Sequence, residues 1–230
     1  PKLFETCKKK EYFQKQQLIK LLSLGKFNDA ENFTKRAENI NQISALKLFF
    51  SYLLEQSNYS QASSYMQKLV NNHKKEPEIN LFINKNLLAQ TLWLTNKQEQ
   101  ALKLWASIST HEIPPYLSRQ IYAQRILAQH IHKNNVDQNA TNSFLREFII
   151  SNLKRKELDF RHVAFLLGKI PKRNRDNNAY RMMRYIYARN LLQNNYTKEG
   201  VVSLLTILQK TRFWPINFRV EIWKLLAINY

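Results

Sequence analysis

Gly25-Lys26-Phe27-Asn28-Asp29-Ala30 stands between two runs of helical periodicity, and the phrase returns as Ser57-Asn58-Tyr59-Ser60-Gln61-Ala62 and Asn96-Lys97-Gln98-Glu99-Gln100-Ala101. A short turn followed at a fixed distance by a small residue, recurring along one chain, is the signature of stacked helical hairpins. The flanking segments fit: Leu18, Leu21 and Leu22; Leu46, Phe49, Phe50 and Leu53; Leu88, Leu92, Leu102 and Trp105 all recur every three to four residues. Breakers fall where such helices should stop, at Gly25, Pro77, Pro114-Pro115, Gly168 with Pro171, and Trp214-Pro215. The spacing predicts about a dozen helices of about 10–20 residues and no strand.

Composition agrees. Of 230 residues, 44% are apolar and 23% charged, enough for a folded core, while three glycines and six prolines are too few for the turns of a sandwich or barrel. No Gly-rich phosphate loop can be assembled from them.

Small residues set the hairpin register, because two helices approach closely only where a side chain is short. Leu88-Ala89, Leu92 and Ala101 return as Leu127-Ala128, Ile131 and Ala140, and as Tyr187-Ala188, Leu191 and Gly200. The interval between the small residues, 89 to 101, 128 to 140 and 188 to 200, is 12 each time.

With these residues in place the chain resembles the tetratricopeptide repeat family. Its hairpins carry a small residue in the first helix, a Gly-x-Tyr turn, an alanine opening the second helix and another seven residues on. Residues 25–37 match best, with Gly25, Phe27, Ala30, Phe33 and Ala37; Tyr59, Ala62, Tyr65 and Leu69 follow, then Ala89, Ala101 and Trp105, with Gln98 at the turn position of the aromatic. The period departs from the family's 34 residues: the second-helix small residues are spaced 32 (30 to 62), 39 (62 to 101), 39 (101 to 140) and 60 (140 to 200). A degenerate hairpin fills the last gap, with a helical run from Phe160 to Leu167 and a polar turn over residues 172–178. The expected fold is therefore all-α, a superhelical array of antiparallel helix hairpins forming one domain over 1–230, more regular over 1–150 and more basic and divergent over 151–230. A HEAT-like solenoid is the alternative.

Thirty-six basic residues against 17 acidic give a net charge of +19. The excess is uneven: residues 1–113 carry 16 basic and 10 acidic side chains, residues 114–230 carry 20 and 7, and twelve of the thirteen arginines lie after residue 113. Anionic partners are favoured, and arginine suits forked contacts to carboxylate or phosphate. Segment 154–189 is the strongest local signal. A helix beginning near Asn178 places Arg181, Arg184 and Tyr185 along one side, with Arg189 at its edge and Ala188 on a packing position beside them.

Chemistry-bearing clusters are not apparent. His130 and His132 are two residues apart and point about 200° apart on a helix, so they cannot share an ion; the remaining histidines, His73, His111 and His162, are scattered. Acids occur as singles among lysines, no serine sits in a Gly-x-Ser-x-Gly context, and the single cysteine, Cys7, forms no disulfide within the chain. No catalytic residue, cofactor or metal is expected, nor a transmembrane segment, since no run approaches about 18 apolar residues. Trp93, Trp105, Trp214 and Trp223 read as core, and the stretch from Phe218 onward reads as too apolar for a capping helix, pointing to continuation of the chain, docking against itself or pairing with another subunit.

The function implied is a non-catalytic scaffold or adaptor that holds a protein partner, of acidic character, in a groove. Resemblance to the family puts groove positions on the first helix of each pair, which nominates Lys47, Lys85, Asn86, Arg125, Arg181 and Arg184. The competing class is a basic nucleic-acid-binding repeat, in which Arg173, Arg175, Arg181, Arg184 and Tyr185 track a phosphate backbone. An anionic membrane surface would be drawn by the same charge. A third class is a helical arm of a larger enzyme or secretion assembly, suggested by a chain that starts at Pro1 without methionine.

Overall fold

The computed structural model describes residues 2–37, 40–71, 77–109, 113–133, 138–208 and 214–229. Among these the secondary structure is helical throughout, without a strand, in twelve α helices. They are α1 (Lys2–Ser23), α2 (Phe27–Arg36), α3 (Gln42–Glu55), α4 (Tyr59–Asn71), α5 (Glu78–Leu94), α6 (Gln98–Ala106), α7 (Pro115–Lys133), α8 (Gln138–Lys154), α9 (Phe160–Lys169), α10 (Asn178–Gln193), α11 (Thr197–Leu208) and α12 (Ile216–Asn229). A short 3-10 turn over Lys172–Asn174 precedes α10, and α10 starts at the residue the sequence suggests. The chain divides into two compact units, Pro1–Ile108 and Ser109–Tyr230.

The recurring phrase has a common backbone. Gly25, Ser57, Asn96 and Asn195 all adopt positive φ, between 56° and 70°. At each, the amide of that residue donates to the carbonyl three positions back and the next amide to the carbonyl five back, as in Gly25 to Leu22 and Lys26 to Leu21, both 3.0 Å. This is the left-handed helix terminus that satisfies orphan carbonyls of the last turn. A new helix starts two residues later, and five residues after the positive-φ position comes the buried small residue: Ala30, Ala62, Ala101 or Gly200. Glycine and asparagine enter left-handed backbone readily, which accounts for three of the four residue choices.

The small-residue register is direct at α10 and α11. A β-carbon placed on Gly200 would stand 2.7 Å from the Leu192 side chain and 3.3 Å from the Ala188 carbonyl. Ala188 and Gly200 are thus the pair at which these two helices close.

In the first unit, α1 packs on α2 and α3, and each helix from α3 onward packs on the next. Leu18, Leu46, Phe49, Phe50, Leu53, Leu69, Leu88 and Trp93 are buried there. Phe27, Phe49, Tyr52 and Tyr65 form an aromatic cluster with ring centroids 5.1–6.2 Å apart, and Tyr65 Oη donates to Glu31 Oε1, joining α4 to α2.

In the second unit α10 is the hub, packing on α7, α8, α9 and α11, while α11 packs on α12. Phe218 of α12 lies between Tyr122 of α7, at 4.9 Å, and Tyr185 of α10, at 5.7 Å. Three of the four tryptophans are core, as expected, but Trp223 is 61% exposed. The reason is angular: Phe218, Ile222 and Leu226 form the buried seam of α12, and Trp223 sits about 100° round the helix from Ile222. Ile216, Val220 and Ile228 are exposed with it.

Candidate binding cavity in the second unit

A cavity of about 650 Å³ opens among α7, the end of α8 and α10, within the range of small-ligand and peptide-side-chain pockets. Its α7 wall is Tyr116, Arg119, Gln120 and Ala123, one helix face by their spacing of three, four and seven. Its α10 wall is Tyr185, Ile186, Arg189, Asn190 and Gln193, again one face. Phe148, Ser151 and Asn152 of α8 and residues 155–158 beyond it complete the lining.

The lining is cationic. Arg119, Arg155, Lys156 and Arg189 face a single lining carboxylate, Glu157. Arg119 Nη1 is paired at 3.0 Å with Glu221 Oε2 of α12, both side chains being mostly buried at 22% and 18% exposure. Its Nε is buried without a hydrogen-bond partner among the described residues. Arg155 has φ of +50°, with its amide donating to the Asn152 carbonyl and Lys156 to that of Ser151. Of the five positive-φ residues among those described, four with side chains and one glycine, Arg155 is the one with a long charged side chain. The Arg189 guanidinium carbon lies 5.9 Å from the Tyr185 ring centroid.

Tyr185 is 2% exposed, and its Oη has no hydrogen bond of regular geometry among the described residues. Burial holds its proton on above the usual tyrosine range; Arg189 and Arg119 oppose this and Glu221 adds to it. A group whose folded pKa lies above its unfolded value of about 10 gives stability that is complete below that pH and is lost as pH rises. Above pH 10 the unfolded chain releases this proton and the fold retains it, so stability is expected to fall by up to about 1.4 kcal/mol per pH unit. Urea titrations at pH 9, 10 and 11 should show a shallower loss for Tyr185→Phe. An identical slope in the variant would mean that the Tyr185 hydroxyl titrates normally.

The residues nominated from sequence are not gathered into one site. Of them, Tyr185 alone lines this cavity. Arg175 and Arg184 line a separate cavity of about 180 Å³ with Tyr180 and Tyr187, on another face of α10. The stripe Arg181, Arg184, Tyr185 is therefore split: Tyr185 points inward from a helix whose Arg181 and Arg184 are half-buried. Arg175 Nε donates to the Ile170 carbonyl at 3.0 Å, and Arg181 binds the carbonyl and the carboxylate of Asp176 at 2.6 and 2.9 Å. Arg184 lies 3.4 Å from Ser203 Oγ. Arg173 is exposed.

In the first unit, Lys47 is exposed and borders a cleft of about 440 Å³ between α1 and α3, with Tyr12, Lys15 and Ile19. Lys85 on α5 is half-buried, as is Arg125 on α7 in the second unit. Asn86 is 3% exposed, and its Oδ1 accepts the Trp105 indole N–H at 2.9 Å, so it supports the core and does not face a groove.

The cavity residues absent from the sequence nomination, Arg119 and Asn190 above all, carried a signal of helical spacing: Arg119 lies three residues after Tyr116, Asn190 four after Ile186, and Arg189 four after Tyr185. What the sequence lacks is the pairing of α7 with α10, helices more than forty residues apart. Among the described residues no group of three or more His, Cys, Asp or Glu stands together as a metal site, and no helix is long and apolar enough to cross a membrane. His73, His111 and the Cys7 side chain lie outside the described residues. Compared with known proteins, the chain matches no family model, no curated protein and no solved structure.

Proposed function

We propose that the chain is a non-catalytic interaction scaffold, a superhelical array of tetratricopeptide-like hairpins, that holds an acidic segment of a protein partner. The observation that carries this reading is the cavity of the second unit, four cations against one carboxylate, with Arg119 and Arg189 on helix faces and Arg155, Lys156 and Glu157 in the segment just beyond α8. Sites built on packed helices keep their geometry, and arginine forks match planar anions. The uniform turn chemistry at Gly25, Ser57, Asn96 and Asn195 supports a repeat scaffold on which such a surface is displayed.

The nucleic-acid reading draws less support, because Arg175 and Arg181 are engaged by local backbone and by Asp176. Fluorescence anisotropy separates the two, using a labelled Glu/Asp-rich peptide and labelled single- and double-stranded oligonucleotides at about 50 and 200 mM salt. The scaffold reading expects peptide binding that persists at the higher salt and is lost on neutralising Arg155, Lys156 and Arg189. Tight oligonucleotide binding at 200 mM salt, abolished by charge reversal at Arg173, Arg175, Arg181 and Arg184, would replace it.

A further inference from the structure

We propose that the cavity among α7, α8 and α10 receives a phosphate monoester dianion carried on a side chain of the partner segment, an inference that rests on the scaffold reading above. The first ground is charge. The lining holds Arg119, Arg155, Lys156 and Arg189 against Glu157, and Glu221 neutralises Arg119 from behind. Four positive charges less two negative leave +2. A carboxylate would match half of that, whereas a phosphoryl group carries about −1.5 to −2 at pH 7 and three acceptor oxygens.

The second ground is the backbone at Arg155. Its left-handed conformation closes the end of α8, a position that favours glycine or asparagine. The chain uses glycine or asparagine at three of its other four positive-φ turns, and here holds a long cation on the rim of the cavity instead. The left-handed turn does not call for arginine, and its side chain stands on the cavity lining. Arg155 and Lys156 together supply a fork and a point charge to the cavity that Arg189 also lines, a combination suited to phosphoryl oxygens. The size of the cavity leaves room for the neighbouring residues of a peptide.

The test is anisotropy at about 150 mM salt with a labelled serine-containing acidic peptide in phosphorylated and unphosphorylated form, phenyl phosphate as competitor, and a short single-stranded DNA. The phosphorylated peptide should bind at least about tenfold more tightly than its twin, and Arg155→Gly and Lys156→Gln should each weaken it about fivefold or more. Arg155→Gly should also raise the melting temperature, by roughly 2–4 °C, so that its lost affinity cannot be assigned to a damaged fold. Arg173→Gln, outside the cavity, should leave affinity unchanged. Equal affinity for the two peptides overturns the phosphate site while leaving the scaffold reading in place, whereas indifference to both Arg155→Gly and Lys156→Gln overturns the phosphate site and removes this cavity from the scaffold reading too. Failure of both peptides to bind overturns both. Phenyl phosphate competing at the affinity of the peptide keeps the phosphate site and removes the protein segment as its carrier. DNA binding more tightly than the phosphopeptide, with the same dependence on Arg155 and Lys156, removes it likewise.

Discussion

Trp105→Ala should lower the stability of the first unit by about 4 kcal/mol or more, the largest loss expected from any single change described. Trp105 is fully buried, its ring centroid is 6.0 Å from that of Trp93, and its indole N–H is donated to Asn86 Oδ1. Truncation removes the apolar area, leaves a cavity between α5 and α6 and strands a buried amide oxygen, each an unfavourable change of the same sign. Trp105→Phe separates the parts, keeping most of the ring while leaving Asn86 unpaired, and should cost about 2 kcal/mol. Adding Asn86→Leu to Trp105→Phe should recover part of that loss, since both polar partners are then gone. Far-UV circular dichroism against urea reads all three. A loss below about 1 kcal/mol for Trp105→Ala would remove Trp105 from the core.

Glu221→Ala should destabilise the second unit by about 3 kcal/mol. The pair Arg119–Glu221 is mostly buried, and removal of the carboxylate leaves a guanidinium whose Nε already has no partner among the described residues. Its attraction alone is not the measure: two charges withdrawn from water break even only when both are present, and the loss comes from leaving one. The double variant Arg119→Met with Glu221→Leu should therefore be far closer to wild type than Glu221→Ala. The loss should also change little between about 50 and 500 mM salt, because a buried pair is poorly screened. A strong salt dependence, or a double variant no better than the single one, would show the pair to be solvated.

The hairpins were legible because their determinants are local. The phrase at residues 25–30 states a left-handed turn and a close-packing small residue within six positions, and the same grammar works at 57, 96 and 195. Helix starts followed in the same way where a cap is short-range, as at Asn177, whose Oδ1 accepts the Tyr180 amide at 2.8 Å. Trp223 was misread because apolar content alone does not tell which face of a helix is turned inward; Ile222 and Trp223 are equally apolar and end on opposite sides of burial. The cavity stayed hidden for a different reason. Its walls, α7 and α10, are brought together by packing over some seventy residues, and its cations are separated in sequence by Arg119 to Arg189, so no window of adjacent residues contains the site. The basic stretch over residues 154–189 did mark its neighbourhood, through Arg155, Lys156 and Arg189, but between them Arg175 and Arg181 serve local ties.

The order in which contacts can form follows from the same contrast. A turn such as Leu21–Lys26 closes over six residues, and the tie from Tyr65 to Glu31 spans 34, so hairpins of the first unit can assemble as soon as their residues leave the ribosome. The Arg119–Glu221 tie spans 102 residues and joins helices at opposite ends of the second unit. Loop closure of that length is slow to be rewarded. Nascent chains should thus acquire the first unit during synthesis, whereas the cationic cavity acquires its Glu221 counter-charge only when α12 arrives, later than any hairpin of the first unit.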